Sequence, residues 1–358
     1  MNVMSVPTDV EMAEEDSTAG APQEGALLKD IINEIDSAQR ALSVTCKKRK
    51  VPSGYISPAD VKNFTTKHTV SSLHLPSPVG MTSIVLSWLS PGQFLTGGND
   101  KVVQLYDHGT DKVLASPKGH TKHVNHVAFC ERDGKPTLVL SAGADKITRV
   151  WTHDAASGEY QPRATIRTHE GDLKGLGVHP TLTLVVLSSC RGTYSLHGEY
   201  QPRATIRTHK GDLTGLGVHP TSTLVVLSSL DRMYSLHELS GKFTQVYHSA
   251  AFKDPFTALG IHPEEALLAL GMPMSKIQIC DIRTGGVAVS ILPPESTTGP
   301  FTINMLSFPE SGYHLLAPDS LLSVAVWDLH KMKVAHSIAL GDSFKVNSAA
   351  RDDPHSQR

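Results

Sequence analysis

Several things are scarce in this 358-residue sequence, and each shortage removes a class of explanation. Only four cysteines are present, Cys46, Cys130, Cys190 and Cys280, and no two form a CxxC pair. Neither a disulfide framework nor a zinc knuckle is suggested. Charge of one sign is missing too: 33 Lys and Arg against 35 Asp and Glu leave a net charge of −2. That excludes a globally basic protein that coats nucleic acid. No run of 18 apolar residues occurs, and the N-terminus carries acids where a leader peptide would carry bases. The expectation is a soluble protein of a reducing compartment, with no membrane partner. There is no phosphate-binding GxxxxGK loop, GxGxxG, GxSxG or HExxH. His120, His123 and His126 cannot converge on a metal, because residues three apart on a strand face opposite ways. Neither a cofactor nor a metal is expected, and no catalytic residue.

What is present divides along the chain. Residues 1–24 hold six acids and no Lys or Arg, and read as a disordered acidic tail. In 25–45, Leu28, Ile31, Ile35, Ala38 and Leu42 follow at intervals of three and four, a heptad stripe. A helix this short needs a partner surface. It either packs on its own domain or ends an oligomerising coiled coil, and self-association through 25–45 is the favoured expectation. Lys47, Lys48, Arg49 and Lys50 open a basic linker, 46–68. They read as a nuclear import signal or as cations suited to a helix C-terminus.

Residues 69–340 are dominated by repeats. Gly158–His197 and Gly198–His237 are forty-residue copies that differ at only seven positions. Looser copies flank them: LTGGNDKVVQLYD at 95–107, LSAGADKITRVWT at 140–152, LALGMPMSKIQICD at 268–281 and LLAPDSLLSVAVWD at 315–328. Short apolar strands with Gly, Asp and Asn turns every 40 to 50 residues predict an all-β propeller of six to seven four-stranded blades. Six units fit, with a seventh beginning at Phe344 and 341–358 left as a blade remnant or disordered tail. The 70–75 segment is expected to be a strand that closes the last blade. In the first of the near-identical copies Cys190, Arg191 and Gly192 stand where the second has Leu230, Asp231 and Arg232. With its tighter last hairpin, the first copy is expected to be the weaker blade.

Gly119-His120 opening a unit, Asp145 in a tight turn, Trp151 on a third strand and the Trp327-Asp328 dipeptide resemble the WD-repeat signature. The resemblance implies a buried network in which His120, Asp145, Trp151, Trp327 and Asp328 take part. Together with the heptad helix, the KKRK cluster, Pro117–Lys122 and Ser311–Leu315, the order of features resembles the pre-mRNA-processing factor 19 family. That likeness implies a nuclear spliceosomal scaffold with protein partners and a family link to ubiquitination and DNA repair. The family carries a U-box ubiquitin ligase domain before its helix, which this sequence does not show. No intrinsic ligase activity is therefore expected, and a ubiquitin-conjugating enzyme would be a partner only if a U-box came from elsewhere. A fragment of a complete ligase and a divergent non-catalytic copy are the alternatives. Lys101, Lys146 and Arg232, each after a turn Asp, are candidate rim contacts or ordinary solubilising charge. Direct RNA contact through KKRK alone would be weak and salt-sensitive, so no nucleic-acid partner is expected.

Overall fold

The structure is a computed structural model. It describes residues 29–48, 347–348 and, apart from short loop stretches of which 132–136, 154–159 and 293–300 are the longest, 68–339. The acidic tail, Leu28, Arg49, Lys50 and most of the linker and C-terminal remnant lie outside the described residues.

Short strands separated by turn residues pair with their sequence neighbours, and the described strands form six antiparallel sheets. Blade 1 holds β1 (Met81–Leu86), β2 (Gln93–Gly98), β3 (Val103–Asp107) and β4 (Lys112–Ala115). Blade 2 holds β5 (Val124–Cys130), β6 (Leu138–Gly143), β7 (Thr148–His153) and β8 (Tyr160–Ile166). Blade 3 holds β9 (Leu173–Val178), β10 (Leu184–Ser189), β11 (Thr193–Gly198) and β12 (Gln201–Arg207). Blade 4 holds β13 (Leu213–Val218), β14 (Leu224–Ser229), β15 (Tyr234–Glu238) and β16 (Gln245–His248). Blade 5 holds β17 (Ala258–Ile261), β18 (Leu267–Gly271), β19 (Ile277–Asp281) and β20 (Val287–Ile291). Blade 6 holds β21 (His314–Pro318), β22 (Ser323–Asp328) and β23 (Lys333–Ala339), with Ser307 bridging Leu316 on its inner side.

Stacking between neighbours explains the sequence pattern. Second strands β6, β10 and β14 are buried along their whole length, so they read as continuous runs such as Leu-Val-Val-Leu-Ser-Ser. Outer strands β8 and β12 are largely exposed. Leu95, Val103 and Leu105 of blade 1 pack with Val124, Val139 and Trp151 of blade 2, and each such side chain contributes about 1.5–3 kcal/mol. The inner strands need glycine where blades close up: a Cβ on Gly215 would lie 2.3 Å from the Cβ of Leu259 on the next inner strand.

The forty-residue copies do not coincide with blades. Each supplies the outer strand of one sheet (β8 or β12) and the inner three strands of the next (β9–β11 or β13–β15). A duplication cut this way adds a sheet while keeping every sheet it touches four-stranded, because each sheet takes its outer strand from the following unit.

Among the described residues, seven stretches line the central channel: β1, β5, β9, β13, β17, residues 304–307 and residues 347–348. Side chains tie one stretch to the next. Thr82 donates to the Val124 carbonyl, Asn125 to Leu173 at 2.6 Å and Thr257 to Ile303 at 2.6 Å. Asn347 makes the same kind of bond to the Met81 carbonyl at 2.8 Å, and the Ile84 amide donates to the Ser348 hydroxyl at 3.4 Å. Residues 347–348 are therefore held against the inner strand of blade 1.

One expectation is corrected. The described residues of 70–75 form no strand; Leu73 and His74 lie in a bend, and His74 joins the blade 1 network. The heptad helix, α1 (Lys29–Lys48), lays its apolar face on its own propeller, the alternative to a coiled coil that the sequence left open. Ile31, Ile32 and Ile35 pack against Leu224, Tyr247, Ala266 and Ile282 of blades 4 and 5, and Ile35 is only 1% exposed. Polar contacts flank that face: Thr223 donates to Glu34 at 2.6 Å, and Arg283 donates to Asp36 at 3.1 Å and to Gln39 at 3.3 Å. Ala38 is half-buried, Leu42 lies in the helix, and Lys47 and Lys48 form its end.

Candidate functional site

The turns between second and third strands repeat one construction on one rim. In blades 1, 2 and 4 the amides of Lys101, Lys146 and Arg232 donate to Gly98, Gly143 and Ser229. All three cations hold positive φ, 71°, 68° and 73°, a conformation that few non-glycine residues adopt. The preceding carboxylate holds the loop together. Asp100 accepts from the Leu75 and Val102 amides, Asp145 from Thr121 and Ile147, and Asp231 from Lys210 and Met233.

A buried histidine completes each turn. His74 meets Asp100 at 2.8 Å and Thr96 at 3.0 Å. His120 meets Asp145 at 3.0 Å and Ser141 at 2.6 Å, and its ring stands edge-on to Trp151 at 6.2 Å. His209 meets Asp231 at 2.9 Å and Ser235 at 2.8 Å. With Nδ1–H donating to the carboxylate, Nε2 accepts from the hydroxyl, and every strong polar group is satisfied. Burial pushes the Asp100 and Asp231 carboxyls up, but hydrogen bonds and their histidines outweigh it and hold both below the ordinary range. Burial lowers His120 and His209 although their aspartates oppose it.

The hydroxyl changes strands between blades. Thr96 and Ser141 sit on second strands, paired across the ladder with Gln104 and Arg149. Blades 3 and 4 have Leu187 and Leu227 there, and the hydroxyl is on the paired third-strand residue, Ser195 or Ser235. Ser195 and Ser235 also meet His197 and His237, both at 2.8 Å. His237 follows Asp231 by the same six residues that separate Asp145 from Trp151, so a histidine fills the tryptophan position.

Blade 3 lacks the carboxylate. Arg191 stands in the place of Asp231, and the buried His169 Nδ1 has no hydrogen-bond partner, although Nε2 keeps Ser195 at 2.7 Å. Burial, with a smaller push from His197, lowers His169 to about 4.

Trp327 and Asp328 are not joined to such a network. Trp327 is buried among Leu315, Phe301 and Ile291, and Asp328 caps the turn after β22 through the His330 and Lys331 amides, both at 3.0 Å. Asp107 and Asp281 cap the equivalent turns of blades 1 and 5. The aspartate of the Trp-Asp dipeptide thus serves the opposite rim from Asp145. His74, Thr96 and Asp100 were missed in the sequence because His74 precedes a Leu-Pro rather than following a Gly, and in blade 4 Asp231 was read but His209, which follows Thr208, and Ser235 were not. The six-residue spacing to His237 was a usable signal.

Lys101, Lys146 and Arg232 are exposed, one on each of three blades, and among the described residues none is in an ion pair. They make a cationic rim that blade 3 continues with the exposed Arg191, and Gly192 there takes the same backbone conformation (φ 67°). Among the described residues no three His, Cys, Asp or Glu side chains are placed to hold a metal ion. Burial pushes the Cys280 thiol up to about 12, which leaves it unreactive. No helix among the described residues is long and apolar enough to cross a membrane.

Comparison with known proteins agrees with this geometry. The WD domain, G-beta repeat family model matches residues 111–152, from the outer strand of blade 1 through the third strand of blade 2. Pre-mRNA-processing factor 19 homolog 2 of Arabidopsis thaliana is 27% identical over 317 residues, covering 88% of this chain and 51% of that protein. Pre-mRNA-processing factor 19 of Oryza sativa subsp. japonica is 26% identical over 314 residues, 87% of this chain and 50% of that protein. The Bos taurus protein of the same name is 31% identical over 162 residues, 45% of this chain and 31% of that protein. The chain spans about half the length of the plant relatives it matches. It is a six-bladed β-propeller protein with a WD domain, G-beta repeat match across blades 1 and 2, similar across most of its length to the Arabidopsis and rice Pre-mRNA-processing factor 19 proteins.

Proposed function

We propose that this chain is a nuclear scaffold of a pre-mRNA-splicing complex that holds protein partners on its propeller. The observation that carries this reading is the similarity to a plant pre-mRNA-processing factor over 88% of the chain. The cationic rim of Lys101, Lys146 and Arg232 supports an acidic protein partner, since three like charges on rigid turns steer an opposite charge toward one face. A scaffold of this kind acts by holding surfaces in register, and no step of bond chemistry is assigned to it.

Immunoprecipitation of the full-length protein from nuclear extract, followed by blotting for spliceosomal small nuclear RNAs and proteins, tests the assignment. Recovery of those components is expected, and a variant carrying K101E, K146E and R232E recovers them at least about tenfold less. A nuclear, folded protein that brings down none of them overturns the reading.

A further inference from the structure

The inner strands of blades 1 to 4 open with the same irregularity. Pairing with the second strand skips one residue in each: Thr82 on β1, Asn125 on β5, Lys174 on β9 and Thr214 on β13. A bulge of this kind re-aims the side chain it carries. Thr82 and Asn125 use it to reach a carbonyl of the next inner strand. Thr214 turns instead to the Ser228 carbonyl of its own sheet, at 3.3 Å. Lys174 does neither, and its ammonium is in no hydrogen bond or ion pair among the described residues. It is half-buried and lines a cavity of about 240 Å³ in the central channel, together with His126 of β5 and Ser307 on the inner side of blade 6. Among the described lining residues there is no Asp or Glu. The Lys174 charge is felt across this space. Burial lowers His126 to about 4, a ring bond to the Lys174 carbonyl opposes the shift, and the Lys174 ammonium adds to it.

We propose that this part of the channel holds one small tetrahedral oxyanion, of the class of inorganic phosphate, on Lys174. A half-buried cation with no counter-charge attracts an anion more strongly than an exposed one does, because water and salt screen it less. Lysine serves phosphate as a compact point charge with three N–H donors. The Ser307 hydroxyl can donate from another side of the same cavity. The volume is below the range that takes a drug-sized ligand, so a single small anion fits where a peptide or an RNA segment does not. Bound there, the anion joins β9 to its neighbours at a bulge whose side chain makes no bond of its own. The site is independent of the splicing assignment, because it rests on the channel alone.

The test uses the full chain, with inorganic phosphate as the probe and sodium chloride at equal ionic strength as the control. Phosphate is expected to bind at millimolar or lower concentration, to shift the His126 ring resonances and the β9 amides, and to raise the midpoint of thermal unfolding as the site fills. Chloride should do none of these. Lys174→Thr brings in the residue that the other forty-residue copy has at this place, Thr214, so the blade accommodates it. That variant is expected to bind phosphate at least about tenfold more weakly. A variant carrying K101E, K146E and R232E removes three cations of the rim and should keep the His126 response. An equal effect of chloride, unchanged phosphate affinity in folded Lys174→Thr, or loss of the His126 response in the rim variant would each overturn the proposal. So would the absence of any shift at His126 in the parent chain at tens of millimolar phosphate.

Discussion

His169 and His209 occupy equivalent places in two copies that differ at seven positions, yet only His209 has an acidic partner. An unsatisfied buried polar atom costs about 1–3 kcal/mol. Arg191→Asp is therefore expected to stabilise the protein by about 1 kcal/mol or more, raising the midpoint of thermal unfolding at neutral pH. The sign with pH follows from the carboxylate. Its folded pKa should fall below the ordinary value, as that of Asp231 does, so the gain is present above about pH 4 and fades as pH falls through the folded value. The neighbouring position does not tolerate the matching change. A Cβ on Gly192 would lie 2.0 Å from the His209 carbonyl oxygen, so Gly192→Arg is expected to destabilise although Arg232 is accommodated in the other copy. Calorimetry on the two variants decides: a neutral or destabilising Arg191→Asp would mean that His169 is satisfied in another way. At this scale the sequence was partly legible. The lost aspartate could be read directly, whereas the hydroxyl's transfer from Thr96 and Ser141 to Ser195 and Ser235 needs the strand register, which places the two positions face to face.

At the scale of the element, α1 shows why a heptad does not name its partner. Leu28, Ile31, Ile35, Ala38 and Leu42 form the same narrow stripe whether it faces a second helix or a sheet. Ile32 is the residue that distinguishes the two, because it widens the apolar face beyond a coiled-coil seam and packs on the propeller beside Ile31. Ile35→Asp places a charge where the side chain is 1% exposed, and is expected to release the helix at a cost of about 2–5 kcal/mol. Hydrogen exchange of residues 29–48 should then become fast while β9–β12 keep their protection. Arg283→Ala should loosen the helix by less than about 1 kcal/mol, since its pairs with Asp36 and Asp281 are partly exposed. Unchanged helix protection in Ile35→Asp would sink the docked arrangement. So would conversion from dimer to monomer, which would restore the coiled-coil reading.

At the scale of the whole molecule, blade number and ring closure separate. The blades were legible because each is a local meander whose turns and apolar runs recur in order; closure is not local, since it joins residues more than 260 positions apart. The relay around the channel states the geometry of closure in hydrogen bonds. Thr82, Asn125 and Thr257 each reach the carbonyl of the next inner stretch, and Asn347 does so for Met81. Residues 344–348, Phe-Lys-Val-Asn-Ser, follow the sequence pattern of 122–126, Lys-His-Val-Asn-His, and Asn347 reaches a carbonyl of the next inner strand as Asn125 does. Removing one donor should act on the stretch it holds. Asn125→Ala is expected to cost about 1 kcal/mol and to speed exchange in β5 and β9. The Asn347 bond is exposed, so Asn347→Ala should cost less, with its effect confined to β1 and above all to Ile84, whose amide donates to Ser348. Exchange of β13–β16, on the far side of the channel, should not change in either variant. If Asn347→Ala leaves β1 as slow as in the parent chain, residues 347–348 do not close the ring. The inner edge of blade 1 would then be held by its own sheet and by the Thr82 bond to Val124.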